Sequence, residues 1–342
     1  MPKQNKAFHA ALLEWYASHG RKLPWRATQN PYPIWLAEVM LQQTTVAAVI
    51  PYYHRFLEQF PTLESLAAAP LEDVYHLWQG LGYYSRARNL HAGAQQIGQN
   101  FGGVWPEEEE KLLSIKGIGP YTAAAIRSFA FNQPAVVVDG NVERVISRLF
   151  RVEDALPAAK PAVKKLAASI NCAEQPRTYG NAIMELGATI CTPKNPSCTA
   201  CPVAAFCACA NLPDAASYPR KTRKKKSPVH HAIAWVVADA HGHIYLRQRP
   251  ATGLLANLWE VPHTGWETIP MPFTPPADWQ ERAHIKHVFT HLTLHVEVRF
   301  GKIPTLHPAA NAFANNALPP LSTLMKKALL ESDTGNTVKN RV

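Results

Sequence analysis

The chain has 342 residues, 47% of them apolar, so it can bury real cores and is not a disordered protein; the length suits two or three domains. Lys and Arg exceed Asp and Glu by 35 − 25 = 10, a surplus that suits a polyanionic partner such as nucleic acid. No apolar run reaches membrane-spanning length, and the N-terminus lacks the unbroken apolar core of a signal peptide. A soluble cytoplasmic protein without membrane contact is expected.

Residues 1 to about 210 read as helix after helix. Phe8, Leu12, Trp15 and Tyr16 recur at helical spacing, and the stretches 34–60, 71–79, 85–99 and 107–113 behave alike, with Pro and Gly cutting between them. Glu38 is the one acid in the apolar run 34–41. Such an acid is costly to bury unless it has a partner or a task, and an exposed helix position is the alternative. Residues 116–120 read Lys-Gly-Ile-Gly-Pro between two helices. Gly117 and Gly119 let the backbone turn tightly, and the free N–H groups with the following helix N-terminus form an anion site. This is a helix–hairpin–helix, which grips a DNA phosphate without reading sequence. After the short extended piece 135–138 comes Asp139, placed to cap the next helix and to keep one oxygen facing a pocket. Further helices are expected at 121–131, 141–150, 162–170 and 179–190.

Four of the six cysteines then crowd together as Cys191-x6-Cys198-x2-Cys201-x5-Cys207. Only one zinc-type knuckle exists, Cys198 with Cys201, and the wider flanking spacings favour a 4Fe–4S cluster over zinc. A reducing compartment weighs against disulfides. Cys172 and Cys209 fall outside the pattern. Residues 212–228 hold three prolines and six Lys or Arg within 220–226, and read as a basic linker. Beyond it the period changes from 3.6 to 2. Residues 232–237 and 243–249 flank Ala-His-Gly, a hairpin signal, and 293–300 alternates cleanly. The expected fold class is a mostly α N-terminal part followed by an α+β domain with an antiparallel sheet. The tail from 331 is expected to be disordered.

Taken together, the hairpin, the following Asp and the cysteine loop resemble the helix–hairpin–helix DNA glycosylase superfamily. More narrowly, they resemble its MutY family of adenine glycosylases. The supporting segments are Trp15-Tyr16-x2-His19-Gly20-Arg21-x-Leu23-Pro24-Trp25-Arg26, Trp35-Leu36-x-Glu38-Val39-Met40-Leu41-Gln42-Gln43-Thr44 and Gln79-Gly80-Leu81-Gly82-Tyr83-Tyr84, with Gly119-Pro120-Tyr121-Thr122 and Val138-Asp139-Gly140-Asn141-Val142. The likeness is dense over 8–210. Residues 229–330 resemble, more thinly, the Nudix-like domain with which the family senses 8-oxoguanine. The acid-rich metal helix of true Nudix hydrolases is missing, so recognition and no pyrophosphatase activity is expected.

The resemblance implies a two-lobed helical region over 1–211: a hairpin lobe at about 27–133, and an iron–sulfur lobe made of the N-terminal helix with 134–211. It implies excision of adenine opposite 8-oxoguanine or guanine in double-stranded DNA by a monomeric, nucleoid-associated repair enzyme. Adenine departs readily only once its ring is protonated, which calls for a carboxyl with a raised pKa. Glu38 takes that role, and Asp139 stabilises the cationic sugar left behind. Tyr121 and Asn141 support Asp139. Strand-cutting relatives keep a lysine at position 121 for a Schiff base, so Tyr121 implies a monofunctional enzyme. Arg26 and Leu41 line the adenine pocket, while Gln43 and Tyr83 insert around the mismatch. Phe289-Thr290-His291 stands where the family has Phe-Ser-His against the oxidised base. The chain also departs at Ile115-Lys116-Gly117, where relatives carry Leu-Pro-Gly. An endonuclease III-like glycosylase/lyase and a non-enzymatic iron–sulfur DNA-binding protein are the alternatives.

Overall fold

The computed structural model describes residues 2–222, 227–264, 278–306 and 311–332. In chain order the helices are α1 (Pro2–His19), α2 (Pro31–Leu41), α3 (Val46–Gln59), α4 (Leu63–Ala68), α5 (Leu71–Trp78), α6 (Ser85–Phe101), α7 (Glu109–Ser114), α8 (Pro120–Phe129), α9 (Gly140–Leu149), α10 (Lys160–Ser169) and α11 (Pro176–Thr189). The strands β1 (Val229–Asp239), β2 (His243–Tyr245), β3 (Arg247–Gln248), β4 (Trp259–Glu260), β5 (Gln280–Val288), β6 (Thr293–Ile303) and β7 (Ala312–Ala314) follow, and α12 (Thr323–Ser332) closes the described chain. Two compact units result, Met1–Ala68 with Asn89–Lys224, and Ala69–Arg88 with Lys225–Val342. No described helix is long and apolar enough to cross a membrane.

The first unit is a helical bundle. Phe8 and Leu12 of α1 pack with Val142, Val145 and Ile146 of α9, Val163 of α10 and Leu186 of α11. The cysteine loop leans on the same core through Val203 and Phe206. Within this unit α2 is buried almost all round, from Tyr32 through Met40. Asn30 caps it, its side chain accepting from the Tyr32 N–H at 3.0 Å, and Pro31 pre-sets the first turn. The stretch read as continuous helix over 34–60 breaks at residues 42–45. Gln43 sits at φ 61, and the Thr45 side chain accepts from the Ala48 N–H to start α3. The hairpin joins α7 to α8. Of its two glycines only Gly117 demands the residue type: its φ is +82, and a Cβ would meet Asn89 Cβ at 3.0 Å. Gly119 has an extended backbone, and a Cβ there would meet nothing.

In the second unit the main sheet runs β5-β6-β1-β2-β7. The antiparallel expectation is corrected at its centre: β1 and β6 are parallel, with Ala232 opposite Val296 and Ala234 opposite Val298. The other pairings are antiparallel, including the hairpin at Ala238↔Ile244 whose turn uses Gly242 at φ +83. Period-two burial puts Ala232, Ala234 and Val236 of β1 with Leu294, Val296 and Val298 of β6 on one face, and Leu324, Met325 and Ala328 of α12 cover it. A short second sheet pairs β3 with β4. Residues 69–88 belong to this unit: Gln79 Nε2 and Tyr84 Oη both donate to the Leu321 carbonyl, at 3.2 and 3.1 Å. In the segment read as linker, Tyr218 is buried and donates to Glu153 at 2.5 Å, with the Arg220 guanidinium over its ring. The rest of the basic run, 223–226, lies outside the described residues, as does the tail from 333; 331 and 332 belong to α12.

Candidate active site and iron–sulfur loop

In the first unit one cavity of about 1000 Å³ is lined by Arg26, Glu38, Leu41, Gln43, Tyr121, Asp139 and Asn141. Residues expected to act together from four separate stretches of sequence therefore share a single space. Glu38 enters from the buried helix α2 and is 4% exposed. Tyr121, in the first turn of α8, donates its hydroxyl to Glu38 Oε2 at 2.7 Å. Burial pushes the Glu38 carboxyl up to about 7; the Tyr121 hydrogen bond opposes the rise and the Asp139 charge adds to it. The Tyr121 phenol is held well above its ordinary value by burial and by the two carboxylates, so it remains a donor.

Asp139 both caps and faces the cavity. Its Oδ1 accepts from the Val142 N–H at 2.7 Å, starting α9, while Oδ2 accepts from Asn141 Nδ2 at 2.8 Å. Burial raises its pKa too, but the N–H donors of Val142 and Asn141 hold that rise down. Two carboxyls thus meet in one cavity with unequal surroundings. One has mainly apolar neighbours and a single phenol donor; the other has a ring of N–H donors. Such a pair can divide proton donation from charge stabilisation.

Several residues packed behind those lining the cavity are not marked by the sequence reading. Glu185 of α11 is fully buried and binds Arg21 Nε at 2.5 Å, Arg21 Nη2 at 3.0 Å and Arg26 Nη2 at 2.9 Å. Burial raises its pKa, and the two arginines outweigh that and hold it below the ordinary range. Its signal was the one that singled out Glu38, a lone acid inside an apolar helical run. Gly187 lets α11 approach α9, since a Cβ there would sit 2.7 Å from Asn141 Cβ. Arg144 ties the same elements together, donating to Asn141 Oδ1 at 2.9 Å, the Gly187 carbonyl at 2.6 Å and the Cys191 carbonyl at 2.7 Å. Gly117 and Gly119 are not in this cavity; they lie at the hairpin.

Cys191, Cys198, Cys201 and Cys207 line a second, almost wholly apolar cavity of the first unit. None of the four forms a disulfide. Burial raises Cys201 to about 11 and Cys207 above its ordinary value, and the neighbouring thiols add to both rises. Backbone N–H groups of Val203, Cys209 and Ala210 point at Cys201 and Cys207, and Arg148 Nη1 lies 3.3 Å from Cys191 Sγ. Converging thiols with N–H donors aimed at sulfur fit a cluster of iron and sulfide, whose ligands must be thiolates.

The remaining expected residues gather in the second unit. Tyr83, Phe289, Thr290 and His291 line a pocket of about 350 Å³. Tyr83 is 46% exposed, and its hydroxyl lies 2.5 Å from Thr290 Oγ1. Like Gln43, Tyr83 is a non-glycine residue in the left-handed region, at φ 47, a strain typical of functional positions.

Similarity to known proteins agrees with this layout. Residues 36–172 match the HhH-GPD superfamily of base excision DNA repair proteins, 191–207 match the iron–sulfur binding domain of endonuclease III, and 233–330 match the NUDIX domain. The loop accordingly holds a 4Fe–4S cluster. A thermostable thymine-DNA glycosylase superposes with a TM-score of 0.57 at 29% identity, covering 61% of this chain and 97% of that one. A structure of endonuclease III in a non-covalent complex with DNA gives 0.51 at 26% identity, over 60% of this chain and 96% of that one. The Homo sapiens adenine DNA glycosylase is 35% identical across 94% of this chain and 73% of its own length. That of Buchnera aphidicola subsp. Baizongia pistaciae is 32% identical over 84% of both. The chain belongs to the adenine DNA glycosylase family of base excision repair enzymes, which act on N-glycosyl bonds.

Proposed function

We propose that this protein binds double-stranded DNA as a monomer and removes adenine paired with 8-oxoguanine or guanine, leaving an abasic site. The observation that carries the reading is the placement of Glu38 and Asp139 in one cavity with their pKa values set by different surroundings. An extruded adenine enters the cavity between Arg26 and Leu41. Glu38, protonated to about pH 7, gives its proton to the purine ring while Tyr121 steadies the other carboxyl oxygen. Bond cleavage leaves positive charge on the deoxyribose, and Asp139, oriented by Asn141 and the Val142 N–H, stabilises it. Water then completes hydrolysis. Position 121 offers a phenol and no amine. Lys160 lines the cavity but pairs with Glu143 at 3.2 Å. Both features favour a glycosylase that stops at the abasic site over a lyase.

Gln43 and Tyr83 support the gap and the orphaned partner base. The pocket of Tyr83, Phe289, Thr290 and His291 reads that partner, with the Thr290 hydroxyl fixed by Tyr83. Gly117 and Gly119 grip phosphate at the hairpin. Cys191, Cys198, Cys201 and Cys207 would hold the 4Fe–4S cluster, which would cross-link the loop 191–207. A duplex with adenine opposite 8-oxoguanine tests the reading. Strand breakage only after alkali is expected; breakage without alkali indicates a lyase, and none indicates a binder.

A further inference from the structure

One wall of the second unit's pocket depends on a buried ionic network. The loop 250–258 between β3 and β4 supplies Gly253, Leu254, Leu255 and Ala256 to the pocket. Three of its residues are left-handed: Gly253 at φ +88, Leu255 at 57 and Asn257 at 63. Two non-glycine residues in that region within three positions cost of order 1–3 kcal/mol each unless their surroundings impose the conformation. Arg249 imposes it. Its backbone N–H donates to the Leu258 carbonyl at 2.9 Å, closing the neck of the loop. Its Nε donates to the Leu254 carbonyl at 2.7 Å in the loop's middle. Its Nη1 donates to Glu260 Oε2 at 2.8 Å.

Glu260 is itself fixed. Arg247 Nε donates to its Oε1 at 3.0 Å, and His263 Nε2 lies 2.9 Å from Oε2. All four side chains are buried. A network serving only the core would end in its own ion pairs, and apolar residues replace such networks at little loss. The Nε bond to Leu254 leads outward, to the lining of a pocket.

We infer that Arg249 is a positioning residue for recognition of the base opposite adenine: its guanidinium, braced by Glu260, sets the loop wall of the pocket that Thr290 and Tyr83 also line. The inference rests on the reading of that pocket given above. Arg249→Lys tests it, because an ammonium cannot span both Leu254 and Glu260 as the planar guanidinium does. The full-length variant is titrated with duplexes holding a non-hydrolysable adenine analogue opposite 8-oxoguanine or guanine, and its melting temperature and saturating excision rate are recorded. The expected result is a fall of about tenfold in the preference for 8-oxoguanine, with the saturating rate changed far less. Equal weakening on both duplexes alongside a lower melting temperature would mean a purely structural role and overturn the inference.

Thr290→Ala, measured alongside, separates the two claims. Lost preference in Thr290→Ala but not in Arg249→Lys refutes the positioning role alone. Preserved preference in Thr290→Ala refutes the pocket reading, and the inference with it. Should Arg249→Lys fail to fold, the exposed Gln248, whose Nε2 donates to the Asn257 carbonyl at 3.2 Å, carries the test. Gln248→Ala is then expected to lower the preference about threefold, and an unchanged preference overturns the inference.

Discussion

Glu38 is a carboxyl held at only 4% exposure, and that has a measurable consequence for stability. Its pKa rises from 4.5 to about 7 on folding. The folded protein therefore holds a proton that the unfolded chain has lost between those values. The contribution is fully present below 4.5 and disappears as pH rises through about 7. The difference converts to about 3 kcal/mol. Glu38→Gln is expected to slow excision at least about 10²-fold and yet raise stability at pH 8 by up to that amount, with little gain at pH 4. Urea unfolding at both pH values checks this. Asp139→Asn preserves the helix cap, because Asn caps as well as Asp, but removes the charge. A fall in excision of about 10²–10³ with unchanged mismatch affinity is expected in single-turnover and anisotropy assays. Both acids stood out in sequence, Glu38 by its isolation in an apolar run and Asp139 by its place before a helix. Glu185 carries the same mark, but nothing in the sequence shows that Arg21 and Arg26 converge on it.

Among elements, the helices were legible wherever apolar residues recur at helical spacing, and the breaks were not. The interruption of 34–60 at residues 42–45 contains no Gly or Pro, the usual punctuation. It is made by the Thr45 cap and the left-handed Gln43. The hairpin was legible from its glycines, but only the folded backbone, with φ +82 and packing against Asn89 at Gly117, separates that required glycine from the permissive Gly119. Gly117→Ala forces a side chain into φ +82, costing about 1–2 kcal/mol, and crowds Asn89. Binding to matched and mismatched duplexes is expected to weaken by similar factors if the hairpin grips phosphate as proposed, because phosphate contacts carry no sequence information. Anisotropy titration of both duplexes checks this; weakening confined to the mismatch contradicts it. The parallel pairing of β1 with β6 was hidden because alternation marks a strand and its buried face, but not its partner's direction.

At the scale of the whole molecule, the sequence separates a helical part from an α+β part by their periods. The place of residues 69–88 in the second unit rests on contacts such as Gln79 to Leu321, 242 positions apart, which no local pattern encodes. The cysteine spacing was legible and the dependence around it was not: Val203, Phe206 and Cys207 pack on the core shared by α1, α9, α10 and α11. The loop itself has only single-turn 3-10 segments, so beyond that packing a bound cluster would supply much of its order. Cys198→Ala is expected to remove the absorption near 400 nm given by iron–sulfur charge transfer. It should also lower the melting temperature and weaken excision through the Arg144 link between Cys191 and Asn141. A variant that melts normally without iron contradicts this.

The most direct test of the division of labour between the two carboxyls is the pH profile of single-turnover adenine release from a duplex with 8-oxoguanine, in wild type and in Glu38→Gln. The expected wild-type rate falls with a one-proton slope above about pH 7, where Glu38 loses its proton, and falls again at low pH as Asp139 gains one. The alkaline limb should vanish in Glu38→Gln, with the rate reduced at least about 10²-fold. An alkaline limb of unchanged midpoint in Glu38→Gln would contradict proton donation by this residue.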